Sequence, residues 1–229
     1  MEKVKNGDWE GTDVSSFSQK TAGGDVTACE IQDQIEYLYI PTPTPLTPQE
    51  RHDTLVYAMD KWIKGMMSAC FGKVKGWDLV NEAISGGGND GDGYYELQHS
   101  EGYKSVTWDV GGDAFYWQDY MGDLEYVRQA CRLARKYGPK DVKLIINDYN
   151  LEGTWDLMTK DGIRASKKLW SLVHWIEQWE ADGVTHIDGI GTQMHISFNK
   201  NANAQNGLKA AITGMFQLMA KSGKMARVS

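Results

Sequence analysis

Val142-Lys143-Leu144-Ile145-Ile146-Asn147-Asp148-Tyr149-Asn150 decides the fold: an apolar run that stops abruptly in four hydrogen-bonding residues. A strand that is apolar on successive residues is covered on both faces, which is the condition of a parallel sheet. Both flanks carry helical period. Upstream, Asp119–Tyr137 repeats Leu124, Val127, Cys131 and Ala134; downstream, Ile163–Trp179 repeats Leu169, Leu172, Val173 and Ile176. The same alternation continues outward, with strands over Val74–Val80, Ile187–Thr192 and Met225–Val228 and a helix over Leu208–Met219. Strands alternating with helices imply parallel strands joined by right-handed crossovers, hence a doubly wound sheet or a (β/α)8 barrel. A closed barrel needs eight strands and about 250 residues, so with about four strands here a barrel is partial.

The helical texture begins at Thr47-Pro48-Gln49-Glu50, an N-cap, a first-turn proline and a capping-box glutamate at helix-starting spacing. Leu55, Met59, Trp62, Ile63 and Met66 follow at helical period. Before it, Pro41-Thr42-Pro43-Thr44-Pro45 forbids helix and reads as an extended linker over residues 41–46. Residues 1–40 differ again. Polar, Gly-containing stretches (Asn6-Gly7-Asp8, Gly23-Gly24-Asp25) surround strand-like pieces such as Ile35–Ile40, giving a short β-rich N-terminal segment.

Composition removes several function classes. The 229 residues carry a formal net charge of -7, with Lys and Arg scattered, so neither a phosphate backbone nor an anionic membrane surface attracts the chain. No nucleic acid and no membrane partner is expected. The first thirty residues lack a basic start followed by an apolar stretch, so no signal peptide is read in this sequence. Cys29, Cys70 and Cys131 are too widely spaced for a dense disulfide framework or a Cys-x-x-Cys metal site, and Cys70 and Cys131 read as small core residues on helical patterns. Nine Trp and eleven Tyr exceed what such a core requires, and flat rings facing solvent are a common way to hold sugar faces.

Chemistry collects where the strands end. Asn81 and Glu82 follow Trp77–Val80, Asn147–Asn150 follow Leu144–Ile146, and Gln193 and His195 follow Ile190–Thr192. In a parallel α/β fold these carboxyl ends share one rim, the rim on which active sites form. Glu82 is the candidate acid/base, because partial desolvation by an apolar strand and aromatic-rich segments keeps a carboxyl protonated near neutral pH. Asn81 can hold a hydroxyl without adding charge. Gln193 and His195 point to one side of an extended segment, and a histidine that donates to a carboxylate keeps a nucleophile ionised.

Trp77-Asp78-Leu79-Val80-Asn81-Glu82-Ala83, Ile146-Asn147-Asp148-Tyr149-Asn150 and Ile187-Asp188-Gly189-Ile190-Gly191-Thr192-Gln193-Met194-His195-Ile196-Ser197 resemble the fourth, fifth and sixth strand motifs of family 10 glycoside hydrolases, the endo-1,4-β-xylanases. Order and intervals agree, and the likeness runs from Thr47 to Ser229. The resemblance implies an α/β fold, a partial (β/α)8 TIM barrel over residues 47–229, and retaining hydrolysis of β-1,4-xylan by two glutamates about 5 to 5.5 Å apart. It makes Glu82 the acid/base, Asn81 a contact of the sugar beside the scissile bond, Tyr149 a substrate-lining aromatic, and Gln193 and His195 the pair that addresses sugar and nucleophile. Xylan or a xylo-oligosaccharide is then the partner, no cofactor or metal is needed, and the setting is extracellular or periplasmic.

In the family the nucleophile follows a seventh-strand segment like Lys224–Ser229, so the chain by itself is expected to have little or no activity. The Lys and Trp-His motifs of the earlier strands are likewise not found before Thr47. Some members carry a carbohydrate-binding module inserted ahead of the fourth strand. The end of such a module is one reading of residues 1–40, and an unrelated leader is the other. The long, Gly-rich loop Ser85–Gln118 is expected to overhang the cleft and offer Tyr94, Tyr95, Trp108, Tyr116 and Trp117 to sugars, or to form a solvated lid. Asn89–Gly93 lacks the ligand spacing of an EF-hand. Two alternatives to the xylanase stand: a non-catalytic carbohydrate-binding protein, and an α/β enzyme with Asp148 or Asp188 as second carboxylate.

Overall fold

The computed structural model describes residues 45–87, 91–100 and 115–229, together with the backbone of three strands at its N-terminal end. Contacts divide the chain into two compact units, Met1–Thr47 and Pro48–Ser229. In the first, β1 (Ser18–Ala22), β2 (Val26–Ile31) and β3 (Gln34–Glu36) form an antiparallel meander, with Ala22 opposite Val26 and Cys29 opposite Glu36. Of the strand expected at Ile35–Ile40, β3 covers the residues to Glu36; Tyr37–Ile40 and Pro41–Thr44 lie outside the described residues, as do Gly88, Asn89, Asp90 and Trp108.

The second unit runs α1 (Pro48–Ala69), β4 (Gly76–Asn81), α2 (Gln118–Met121), α3 (Glu125–Tyr137), β5 (Lys143–Asp148), β6 (Leu157–Lys160), β7 (Ile163–Ser166), α4 (Lys167–Glu180), β8 (Gly189–Thr192), α5 (Ala202–Lys221) and β9 (Met225–Val228). Its main sheet has the order β4-β5-β8-β9, and every neighbouring pair is parallel. Strand order thus follows chain order without reversal. Right-handed crossovers that always step the same way put all their helices on one face, whereas a doubly wound sheet reverses direction at a switch point. The sheet is therefore an arc of a (β/α)8 barrel. Asp78 of β4 and Arg227 of β9, in the two outermost strands, meet at 2.5 Å. In a flat sheet those strands would lie about 14 Å apart at the usual strand spacing, and side chains that stand out from the sheet meet across that gap when the sheet curls.

The core lies between the arc and its helices. Leu144, Ile146 and Ile190 are fully buried from the sheet side, and Leu133, Leu169, Leu172, Ile176 and Met215 from the helices. Burial of each such side chain stabilises the fold by about 1.5–3 kcal/mol relative to exposure. Two glycines allow close approach. A Cβ on Gly191 would run into the side chain of Asn147, and one on Gly214 of α5 into the carbonyl of Arg164 on β7.

Several elements depart from the expected boundaries. The helix read at Ile163–Trp179 begins only at Lys167, because Asp161 (φ 52°) and Gly162 (φ 76°) close a two-residue hairpin that pairs β6 with β7. Ser166 then caps α4, its Oγ accepting from Leu169 N at 3.2 Å. The helix read at Asp119–Tyr137 is two pieces, interrupted at Gly122, whose φ of 82° cannot continue a helix. The last helix is longer than Leu208–Met219, since Asn201 caps it by accepting from Ala204 N at 3.1 Å. Cys131 is buried as expected, but Cys70 sits half-exposed in the turn that ends α1.

Candidate active site

Glu82 is the first residue past β4, and its backbone is left-handed at φ 57°. An L-residue other than glycine, asparagine or aspartate is uncommon there, because Cβ crowds the following carbonyl. The conformation is pinned from both sides. Glu82 N donates to Asn147 O at 2.8 Å, and Gln98 Nε2 donates to Glu82 O at 2.5 Å. Strained backbone held by its surroundings is a common mark of a functional position.

The side chains of three strand ends meet around it. Gln193 N donates to Asp148 O at 3.0 Å, which keeps the segment after β8 in register with β5. Gln193 Nε2 then donates to Glu82 Oε1 at 2.7 Å and to Asn81 Oδ1 at 3.0 Å. Asn81 Oδ1 also accepts from Asn147 Nδ2 at 2.8 Å. With both donors of Gln193 committed, its Oε1 faces His195 Nε2 at 3.2 Å. An amide oxygen only accepts, so Nε2 is the protonated nitrogen of the ring in this contact. Glu82, Asn81, Gln193 and His195 therefore form one hydrogen-bonded chain at the carboxyl ends of β4 and β8.

Tyr149 stands beside this chain. Its phenol is pushed above the ordinary tyrosine range, first by burial and then by the negative charges of Asp148 and Glu82. Asp148 itself is fully buried. Burial holds its carboxyl above the ordinary range, and the Lys168 ammonium at 2.6 Å with the N–H groups of Ile84 and Tyr149 offsets only part of that. Asp188 lies elsewhere. It precedes β8, at the amino ends of the strands, where burial opposes its ionisation but Leu144 N, Lys143 and Arg135 outweigh it and hold the carboxyl down at about 2. Asp148 is thus locked in an internal ion pair and Asp188 is on the opposite rim, so neither is a second carboxylate for Glu82.

The loop aromatics divide. Tyr116 reaches the site through Gln98, its hydroxyl donating to Gln98 Oε1 at 3.3 Å. Tyr94 and Tyr95 instead anchor the loop on α4: Tyr94 stacks on His174 with centroids 4.4 Å apart, Tyr95 N donates to Ser171 Oγ, and Trp175 Nε1 donates to Tyr95 O. Trp117 packs against the core. Gln98 and Lys168 are site residues that the sequence reading missed. Gln98 sits in an aperiodic loop that carries no signal, and Lys168 is indistinguishable by type from its neighbour Lys167. Among the described residues no cluster of three His, Cys, Asp or Glu could hold a metal ion, and no helix is long and apolar enough to cross a membrane.

Residues 42–223 match the family model for glycosyl hydrolase family 10. Endo-1,4-beta-xylanase C of Paenibacillus barcinonensis is 35% identical over 153 residues, which cover 67% of this chain and 12% of that protein. Endo-1,4-beta-xylanase B of Thermotoga neapolitana is 31% identical over 184 residues, 76% of this chain and 43% of that protein. The crystal structure of xylanase B from Clostridium stercorarium F9 superposes with a TM-score of 0.53 at 24% identity, over 80% of this chain and 43% of that one. The chain thus spans less than half the length of each of these proteins.

Proposed function

The chain belongs to glycosyl hydrolase family 10, and on that premise we propose that it is part of the catalytic barrel of a retaining endo-1,4-β-xylanase, with Glu82 as acid/base. The observation that carries the reading is the contact of Gln193 with both Glu82 and Asn81 at the carboxyl-end rim. A carboxyl that must give a proton to the leaving oxygen and later take one from water needs fixed orientation and access to substrate. Glu82 has both: its backbone is pinned, one oxygen is held by Gln193, and the residue is only half-buried. Asn81 spends its oxygen inside the site and keeps its NH2 group, without a partner among the described residues, for a sugar hydroxyl.

In this reading Tyr149 lines the sugar, and Gln193 and His195 address the sugar and the nucleophile. The family position of the nucleophile comes after the strand that β9 represents. Residues 47–229 are the catalytic part and 41–46 a linker, while 1–40 form a β-rich segment for which the end of an inserted sugar-binding module and an unrelated leader are the two readings. Xylan as a polymeric substrate fits an extracellular or periplasmic setting.

Glu82→Ala in the full-length protein tests the role. Loss of general acid help should slow xylan hydrolysis by about 10²–10⁴-fold. Glycosylation by an aryl xylobioside with a good leaving group, which needs no protonation, should be far less affected. Equal losses on both substrates would remove Glu82 from the acid role. Sugar binding by a wild-type protein that never hydrolyses xylan would favour a non-catalytic carbohydrate-binding protein.

A further inference from the structure

Behind the rim lies a buried cation that the proposed chemistry does not use. Lys168, in the first turn of α4, is 3% exposed, and its Nζ is 2.6 Å from Asp148 Oδ1 and 3.4 Å from the centre of the Tyr149 ring. Taking an ammonium and a carboxylate out of water carries a large desolvation cost before their attraction returns any of it. A pair of apolar side chains would fill the same volume more cheaply, so the pair calls for a reason beyond packing.

The contacts of Asp148 supply one. Its Oδ2 accepts from Ile84 N at 3.1 Å and its Oδ1 from Tyr149 N at 2.8 Å. Ile84 is two residues beyond Glu82, and Tyr149 is the candidate sugar-lining aromatic. The ion pair therefore joins the segment after β4, the segment after β5 and the start of α4 at one buried point. A cation over a ring face also restricts the ring, most strongly when both are desolvated.

We propose that Lys168 is a positioning residue of the site: its ammonium fixes the Tyr149 ring from behind and, through Asp148, fixes the segment that carries Glu82. Its consequence for sugar binding rests on the xylanase reading; the clamp itself does not.

The test compares Lys168→Met and Lys168→Arg with wild type in the full-length protein, after thermal unfolding has shown which variants fold. Two quantities are read, amide hydrogen exchange and the affinity for xylopentaose. In Lys168→Met, exchange at Ile84 and Tyr149 should rise about tenfold while Leu144 and Ile146 stay protected, and xylopentaose should bind about tenfold more weakly. Lys168→Arg, which keeps a cation, should recover most of both. Unchanged protection at Ile84 and Tyr149 overturns the proposal, and so does a loss spread evenly through β5, which marks a core residue only. If neither variant folds, wild type decides: ring-current-shifted Lys168 ε-protons that move on saturation with xylopentaose support the clamp, and unshifted ones overturn it. A wild type that binds no xylopentaose sinks the xylanase reading alone, because the exchange measurement still judges the clamp.

Discussion

Gln193 Nε2 lies 2.7 Å from Glu82 Oε1, although the two residues follow strands that are not neighbours in the sheet. One amide spans the width of β5 and fixes a carboxyl oxygen that would otherwise turn freely. An ordinary hydrogen bond is worth about 0.5–1.5 kcal/mol, so Gln193→Ala should lower kcat/KM of the full-length protein on xylan by about 2- to 10-fold. Steady-state kinetics that leave kcat/KM unchanged would disconnect this amide from the reaction.

The left-handed backbone at Glu82 makes a prediction about stability. Glycine adopts that conformation freely, whereas alanine keeps the steric penalty. Glu82→Gly and Glu82→Ala both lose the Gln193 contact, so their difference isolates the backbone. Denaturant titration should find the glycine variant more stable by about 1 kcal/mol, and the reverse order would contradict the strained geometry.

Gly191 is the space into which Asn147 fits. Gly191→Ala should destabilise the unit by about 1–3 kcal/mol, as overpacking commonly does, and should also depress turnover because Asn147 supports Asn81. A variant with wild-type unfolding midpoint and wild-type turnover would show that this close approach is dispensable.

At the opposite rim, Asp188 has a folded pKa of about 2 against an ordinary 3.8. Folding therefore favours its ionised form; the stabilisation is full above the ordinary value and is lost as the pH falls through about 2. Asp188→Asn removes the carboxylate from a cluster whose cations, Arg135 and Lys143, are 33% and 51% exposed, and about 1–2 kcal/mol of stability should disappear at pH 7. The gap between variant and wild type should narrow as the pH approaches 2. A gap that stays constant over that range would assign the effect to something other than charge.

The parallel sheet and its rim were legible because they depend on properties that sequence carries directly: apolar runs of strand length, helical period between them, and polar residues placed at strand ends. Direction around the sheet was not. A doubly wound fold and a barrel use the same alternation, and only the pairing of β8 with β5 rather than with β4 separates them. The β6–β7 hairpin was missed although Asp161-Gly162 is a strong two-residue turn signal, since the apolar period of α4 extends back through Ile163 and masked it. Within the site, Glu82, Asn81, Gln193 and His195 are visible as strand-end residues, whereas Gln98 and Lys168 owe their places to a loop and a helix docking from elsewhere.

The contact between Asp78 and Arg227 turns curvature into a ruler. Along the sheet surface, the path from β4 to β9 is about 14 Å, three strand spacings. A retaining pair of carboxyls must be about 5 to 5.5 Å apart, and a pair with room for a water gives inversion instead. If the partner of Glu82 is carried on the β9 side, their separation is set by the chord across the arc and not by any interval along the chain. The Asp78–Arg227 pair, which ties the two outermost strands together, then influences that separation without touching a sugar.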